Sequence, residues 1–288
     1  MIAIGYLCKK IKILTKEAQK SLSDLLIYVI LPCNIIVGFT SGIEVSKDLL
    51  TCCGLALVIS FVIQLFNTYV TKQLFRGWPK EKAGVAAYGM IVSNSSFIGI
   101  PVMEVLYGPI GVLYTAIFQI PIRFTMWSAG LALFTNVDRK TTIKKVLLHP
   151  CIIACAMGFV MMVMEWSFTG VIQSTITSVS KCTGPVSMLV IGAILGDINL
   201  KTLFDKHTFF FSFIRLIAFP ALVFIVLHLL HTDRELMGVA VLLTAMPAGS
   251  TTAILAQKYG GDAEYGASLI FVSTLLSIVT LPIFSFFI

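Results

Sequence analysis

Two short runs of small polar residues interrupt long apolar stretches: Asn94-Ser95-Ser96 with Pro101 beyond it, and Ser250-Thr251-Thr252 with Pro247 and Gly249 before it. Amides and hydroxyls without an adjacent base offer noncovalent hydrogen bonding rather than nucleophilic chemistry. Three cations also lie inside apolar segments: Arg123, Lys181 and Arg215. No Asp or Glu lies deep in the same stretches, since Glu104 and Glu264 sit near segment ends. A charge within a bilayer costs at least about 2.5 to 3.5 kcal/mol on insertion scales, so it faces a cavity or a partner. A positive interior without counter-charge lowers the barrier for an anion and raises it for an amine. Arg123 is the foremost candidate ligand, because a guanidinium can hold a carboxylate with two parallel hydrogen bonds. The plainer readings are that Arg123 snorkels or binds backbone carbonyls freed nearby, that Lys181 and Arg215 reach lipid headgroups or such carbonyls, and that the hydroxyls cap helix ends.

Other chemistry finds little support. Seven cysteines (Cys8, Cys33, Cys52, Cys53, Cys151, Cys155, Cys182) fall mostly in apolar segments without metal-site or disulfide spacing, and read as small packing residues. Four histidines (His149, His207, His228, His231) do not cluster, and no nucleophile elbow, P-loop or metal-helix motif is present. The sequence predicts no catalytic residues, no metal and no cofactor.

The elements that must position the polar runs are membrane spans. With 57% hydrophobic and 12% charged residues over 288, and a mean hydropathy of +0.94, the chain is far from the roughly 25% charge of soluble domains. Apolar runs lie near 21–43, 49–71, 83–107, 110–135, 146–165, 170–196, 207–230, 235–257 and 264–288, nine spans leaving no room for a separate soluble domain. Ahead of them Met1–Cys8 is apolar but too short to cross, and its lysines follow rather than precede it, unlike a signal peptide. It reads as the inner end of a tenth span, first in order and truncated. Lysines and arginines of the loops divide sixteen to one side and two, Lys47 and Arg234, to the other. Positive loops stay cytoplasmic, which predicts both termini outside. These loops facing anionic lipid account for the net charge of +7 without a nucleic-acid partner.

Both polar runs fall near the middle of a span. A helix broken there frees N–H and C=O groups that lipid cannot satisfy, so the break must face protein or a solvated cavity. Half-helices starting near Ser96 and Ser250 would aim free N–H groups and positive dipole ends at an anion. Paired interruptions point to a transporter binding site. A shift of 154 residues superimposes Gly38-x3-Gly42-x4-Lys47-x-Leu49 on Gly192-x3-Gly196-x4-Lys201-x-Leu203, and Asn94-Ser95-Ser96 on Ala248-Gly249-Ser250. The chain is thus expected to be one transporter unit, 1–288, of two repeats, 1–135 and 146–288. Five spans per repeat, an odd number, make the copies inverted. Asp24 and Asp197, at inner span ends, are candidates for proton coupling, with interfacial capping as the plainer role. Asn34, Gln64, Asn67 and Gln119 either line the same cavity or bond between helices.

The residues resemble the auxin efflux carrier family, which includes bacterial malate and malonate permeases. The resemblance runs through Leu31-Pro32, Asn94-x4-Gly99-Ile100-Pro101, Ile191-Gly192-x3-Gly196, Ala245-Met246-Pro247-x-Gly249, Ala256-x2-Tyr259 and Leu281-Pro282. It implies a scaffold of spans 1, 2, 6 and 7 and a mobile part of spans 3 to 5 and 8 to 10 whose fourth and ninth helices cross, an architecture similar to the bile-acid sodium symporters. Two departures stand out. Ala248 replaces the amide that plant carriers place after the second proline, and no acidic residue near Pro247 matches the sodium ligand of the symporters. Twin-amide carboxylate binding and sodium coupling therefore do not carry over.

The expected molecule is an all-α polytopic membrane protein with a ten-span, 5+5 inverted-repeat crossover fold and a truncated first span. Its expected role is a multi-pass carrier of a small mono- or dicarboxylate in a plasma membrane, that of a bacterial cell. A coupling proton and a second copy are its candidate partners. The rivals are a membrane ligand sensor that moves nothing and a carrier of neutral or amphipathic solutes.

Overall fold

The computed structural model describes residues 1–40, 46–134, 144, 147–196, 205–249, 251–259 and 261–288; Ser250, Asp197, Gly42 and Lys201 therefore lie outside the described residues. Among the described residues the secondary structure is helical, with one isolated antiparallel bridge. Five helical stretches are long and apolar enough to cross a membrane: Lys16–Thr40, Lys47–Thr71, Ser95–Gly130, Lys206–Leu229 and Ala263–Phe287. The remaining apolar segments form shorter helices: Lys80–Ile91, Pro150–Val163, Gly170–Ser180, Thr183–Gly196, Arg234–Thr244 and Thr251–Tyr259.

The helix Lys47–Leu74 shows why this is a membrane helix and not a buried core helix. Its outward face carries Leu57, Val58, Phe61, Val62, Leu65, Phe66 and Tyr69, all exposed, whereas Cys53, Ala56, Ser60, Gln64, Asn67 and Thr71 are buried at steps of three and four. In water this distribution would be inverted, with the large apolar side chains inside. Lipid removes that incentive, and helix contacts then favour small and hydrogen-bonding side chains. The last helix repeats the pattern, burying Ser268, Ser273, Thr274 and Ser277 and exposing Leu275, Ile278, Val279 and Ile283.

The stretch Ser95–Gly130 is folded back on itself. Gly108 has φ 59° and ψ −145°, outside helical geometry. In a continuous helix residues 103 and 111 would be about 12 Å apart along the axis. Instead a Cβ on Gly111 would lie 2.4 Å from the Met103 carbonyl oxygen, so the chain reverses at Gly108. The apolar runs 83–107 and 110–135 read from sequence divide at this point.

Three π-turns have a common cause. Leu26–Ile30, Ser95–Gly99 and Ile214–Ala218 each end two residues before a proline, Pro32, Pro101 and Pro220 respectively. Proline lacks the N–H that would reach the carbonyl four residues back and its ring crowds that carbonyl, so the helix widens there. Met126–Gly130 forms a fourth π-turn without such a proline.

The chain groups into two compact units, each drawing on both halves of the sequence. One comprises Met1–Cys53, Ser96–Ile117 and Leu147–Ile198. Within it, Ile2–Lys10 packs on Thr183–Gly196: a side chain on Gly5 would strike the Leu189 backbone, and one on Gly196 would strike Lys9. Gly38 accepts the side chain of Val112, and Gly158 that of Phe39. Asn34, buried, donates from Nδ2 to Ser180 Oγ at 3.0 Å and Glu104 Oε2 at 3.3 Å. The other unit comprises Gly54–Ser95, Phe118–Val146 and Asn199–Ile288, and contains both interrupted segments up to Ser95.

Candidate functional site

The first interruption begins where Lys80–Ile91 ends: Val92 is extended, with φ −111° and ψ 108°. The second follows Arg234–Thr244, whose cap is Ala245, and precedes Thr251–Tyr259. The two breaks pair with each other. Ser93 and Ala248 form the antiparallel bridge, the Asn94 N–H donates to the Pro247 carbonyl at 2.8 Å, and the Gly249 N–H donates to the Val92 carbonyl at 2.9 Å. The Ala248 N–H finds Ser273 Oγ at 3.2 Å. Backbone groups freed by each break are thereby satisfied by the other and by a neighbouring helix, which answers the requirement that lipid imposes. Pro247 suits its place, since it contributes only a carbonyl to the bridge. Gly249 suits its place because a Cβ there would sit 3.1 Å from the Val92 carbonyl oxygen.

Arg215 fastens the pair. Its Nε donates to the Met246 carbonyl at 2.9 Å and its Nη1 to the Met90 carbonyl at 2.6 Å, one carbonyl from each interrupted helix. Asn67 Nδ2 donates to the same Met90 carbonyl. Arg215 is 2% exposed, and among the described residues no carboxylate pairs with it. The last carbonyls of a helix carry the negative end of its dipole, so a cation there is favourably placed.

Arg123 reaches the first break by a relay: its Nη2 donates to Gln119 Oε1 at 3.0 Å, and Gln119 Nε2 donates to the Ser95 carbonyl at 3.1 Å. The i to i+4 spacing of Gln119 and Arg123 on one helix makes the first link local. Asn94 and Ser95 are buried and Ser96 is half-buried. The Asn94 side-chain amide has no hydrogen-bond partner among the described residues. Thr251 Oγ1 lies 3.1 Å from Tyr88 Oη, and Thr252 is fully buried. Tyr88 packs with Ile91, Val92 and Leu255 in an apolar cluster beside the breaks.

The structure thus brings together Asn94, Ser95, Pro247, Gly249, Thr251, Thr252, Arg123 and Arg215, to which Gln119, Asn67, Tyr88 and Ser273 are joined. Lys181 does not share this cluster; it is exposed in the turn between Gly170–Ser180 and Thr183–Gly196 and belongs to the other unit, as does the exposed Asp24. Pro101 is buried just beyond the π-turn Ser95–Gly99, also in that unit. Gln64 bonds between helices, accepting from Thr125 Oγ1 at 3.2 Å. Tyr88 and Ser273 escape a sequence reading, because a tyrosine or serine in an apolar run carries no sign of which N–H or hydroxyl it will meet.

A second polar cluster lies where two helices begin. Asp205 caps Lys206–Phe213 by accepting from the His207 N–H at 3.1 Å, pairs with Lys82 Nζ at 2.8 Å and touches His207 Nδ1 at 2.9 Å. Lys82 also sits 5.0 Å from the centre of the Tyr265 ring, and Trp78 packs edge-on to His207. Partial burial works against the Asp205 carboxylate, but bonds from Lys82 and His207 outweigh it and hold its pKa down to about 2.

Comparison with known proteins assigns the chain to a class. A Methanothermobacter thermautotrophicus protein named "Uncharacterized transporter" is 24% identical, over 99% of this chain and 94% of its own. A Methanocaldococcus jannaschii protein of the same description is 23% identical, over 98% and 94%. A Rhizobium meliloti protein named "Putative malonate transporter" is 24% identical, over 97% and 90%. The model of the family described as membrane transport protein matches residues 1–285. With its long apolar helices, the chain is a multi-pass membrane protein and belongs to this family of membrane transport proteins, the auxin efflux carriers.

Proposed function

We propose that this protein is a secondary transporter of a small organic anion, a mono- or dicarboxylate of the malonate or malate class, in the plasma membrane. The observation that carries the reading is the pair of hydrogen-bonded breaks with two buried guanidiniums attached and no carboxylate paired to Arg215 among the described residues. Such a place suits an anion entering from water and repels a cation. Arg123 and the Asn94 amide are the substrate ligands in this reading, with Ser95, Ser96, Ser250, Thr251 and Thr252 supplying further donors. The name of the Rhizobium relative supports the carboxylate class. The architecture proposed for it is ten spans in two inverted repeats, with helices crossing at the breaks and alternating access by movement of the part that carries them. A proton, bound at Asp24 or Asp197, is the proposed coupling partner, and the protein works in the bilayer as a single chain or a homodimer.

The test is uptake of labelled malonate and malate into proteoliposomes, with and without a proton gradient, comparing wild type with Arg123→Gln. Saturable uptake that falls about tenfold or more in the variant is expected, since a charge-assisted bond contributes roughly 1.5 to 3 kcal/mol. Uptake indifferent to Arg123 would shift the reading to a neutral solute. Binding without uptake in a well-folded preparation would shift it to a sensor.

A further inference from the structure

Arg215 does more at the breaks than fill space. In transporters built on discontinuous helices, unwound carbonyls and the C-terminal ends of half-helices are where a coupling cation binds. Here two such carbonyls, Met90 and Met246, come from different interrupted helices, and a guanidinium already donates to both. The guanidinium arrives from a third helix, Lys206–Leu229, at the π-turn Ile214–Ala218 opened ahead of Pro220. Arginine keeps its charge at any physiological pH and presents its donors as a rigid fork, so one side chain can satisfy two divergent carbonyls as a small ion would. Asn67 donates to the Met90 carbonyl as well, and the Ser93–Ala248 bridge holds the two broken segments together beside it. The charge stays on the chain through a cycle, whereas an ion would enter and leave.

We infer that the Arg215 guanidinium is a tethered cation standing in for an exchangeable coupling ion at the paired breaks, so that the carrier needs no sodium or other alkali cation. Removing it leaves a carbonyl-lined site that a small cation can fill. The inference about coupling rests on the transporter reading above; the inference about the site does not.

The full chain is tested in two ways, by uptake and by melting temperature in detergent, each in sodium, potassium or choline salts at equal ionic strength. Wild type is expected to show the same uptake and melting temperature in all three. Arg215→Ala is expected to lose uptake about tenfold in choline, as the loss of charge-assisted bonds implies, and to recover uptake and melting temperature with sodium or sub-denaturing methylguanidinium. Arg215→Lys, which keeps the charge, should remain indifferent to the salt. Arg215→Gln, which keeps a donor without the charge, is the alternative if the alanine variant does not fold, and it should become cation-dependent. A sodium requirement in wild type would overturn the inference. So would a folded neutral variant whose uptake and melting temperature ignore every cation, since that is the behaviour of a purely structural clip. If no carboxylate is taken up by wild type, the transporter reading fails while the melting-temperature comparison still decides the cation site.

Discussion

Gln119 links Arg123 to the first break, because it accepts from the guanidinium and donates onward to the Ser95 carbonyl. Gln119→Leu cuts both bonds while keeping the volume. It should raise the half-saturating substrate concentration about tenfold with a smaller change in maximal uptake, if Arg123 serves to bind substrate and Gln119 to aim it. A loss confined to maximal rate would show the relay acting on the moving step instead. At the second break, Gly249→Val places a branched side chain against the Val92 carbonyl and Val92 Cγ1. The overpacking should cost about 1 to 3 kcal/mol, read as a lower melting temperature in detergent. A melting temperature equal to wild type would mean that the bridge opens readily.

At the scale of elements, the reversal at Gly108 and the capping by Asp205 make separate demands. Gly108 combines positive φ with an extended ψ, a region nearly closed to side chains. Gly108→Ala should therefore cost about 1 to 3 kcal/mol in stability although nothing lies within 4 Å of its Cβ position. An unchanged melting temperature would mean that the turn relaxes elsewhere. Asp205 joins the start of the helix that carries Arg215 to Lys82 on the first interrupted helix. Its folded pKa of about 2 lies below the unfolded value of about 3.9, so its stabilising contribution is complete above the unfolded value and disappears as pH falls through the folded one. The melting-temperature gap between wild type and Asp205→Asn should be present at pH 7 and should close toward pH 2. The gap is modest, because both partners are partly exposed and such pairs contribute about 1 kcal/mol or less. A gap that persists at pH 2 would assign the effect to the helix cap alone.

For the whole molecule, the asymmetry of basic loops makes a prediction about sidedness. In a background freed of the native cysteines, Lys47→Cys and Arg234→Cys should react with an impermeant maleimide added to intact cells. Arg76→Cys and Lys206→Cys should react only after permeabilisation. All four positions are exposed, so access is decided by the membrane and not by burial in protein. Labelling of all four from outside would refute the inverted repeat, which requires the two halves to enter from opposite sides.

The sequence by itself determined where the chain is apolar, where its helices break and where cations fall within apolar stretches. Those properties are local: transfer of about 20 residues into lipid is a sum over neighbours in sequence, and a proline or a polar run interrupts a helix wherever it stands. Nine apolar runs, the division at Gly108-Pro109 and both interruptions were legible for that reason. Only the tertiary structure decided who satisfies whom. The Val92 carbonyl meets the Gly249 N–H across more than half the length of the chain, and the Met90 carbonyl meets Arg215 across 125 residues. The sequence showed Arg123, Lys181 and Arg215 as three cations in apolar surroundings, with Arg123 foremost. The fold separates them into a relay to the first break, an exposed turn residue and a buried clip on both breaks. What distinguishes them is which carbonyls lie within about 3 Å of each guanidinium or ammonium, and hydrogen bonds of that range depend on packing in space and not on position in the chain.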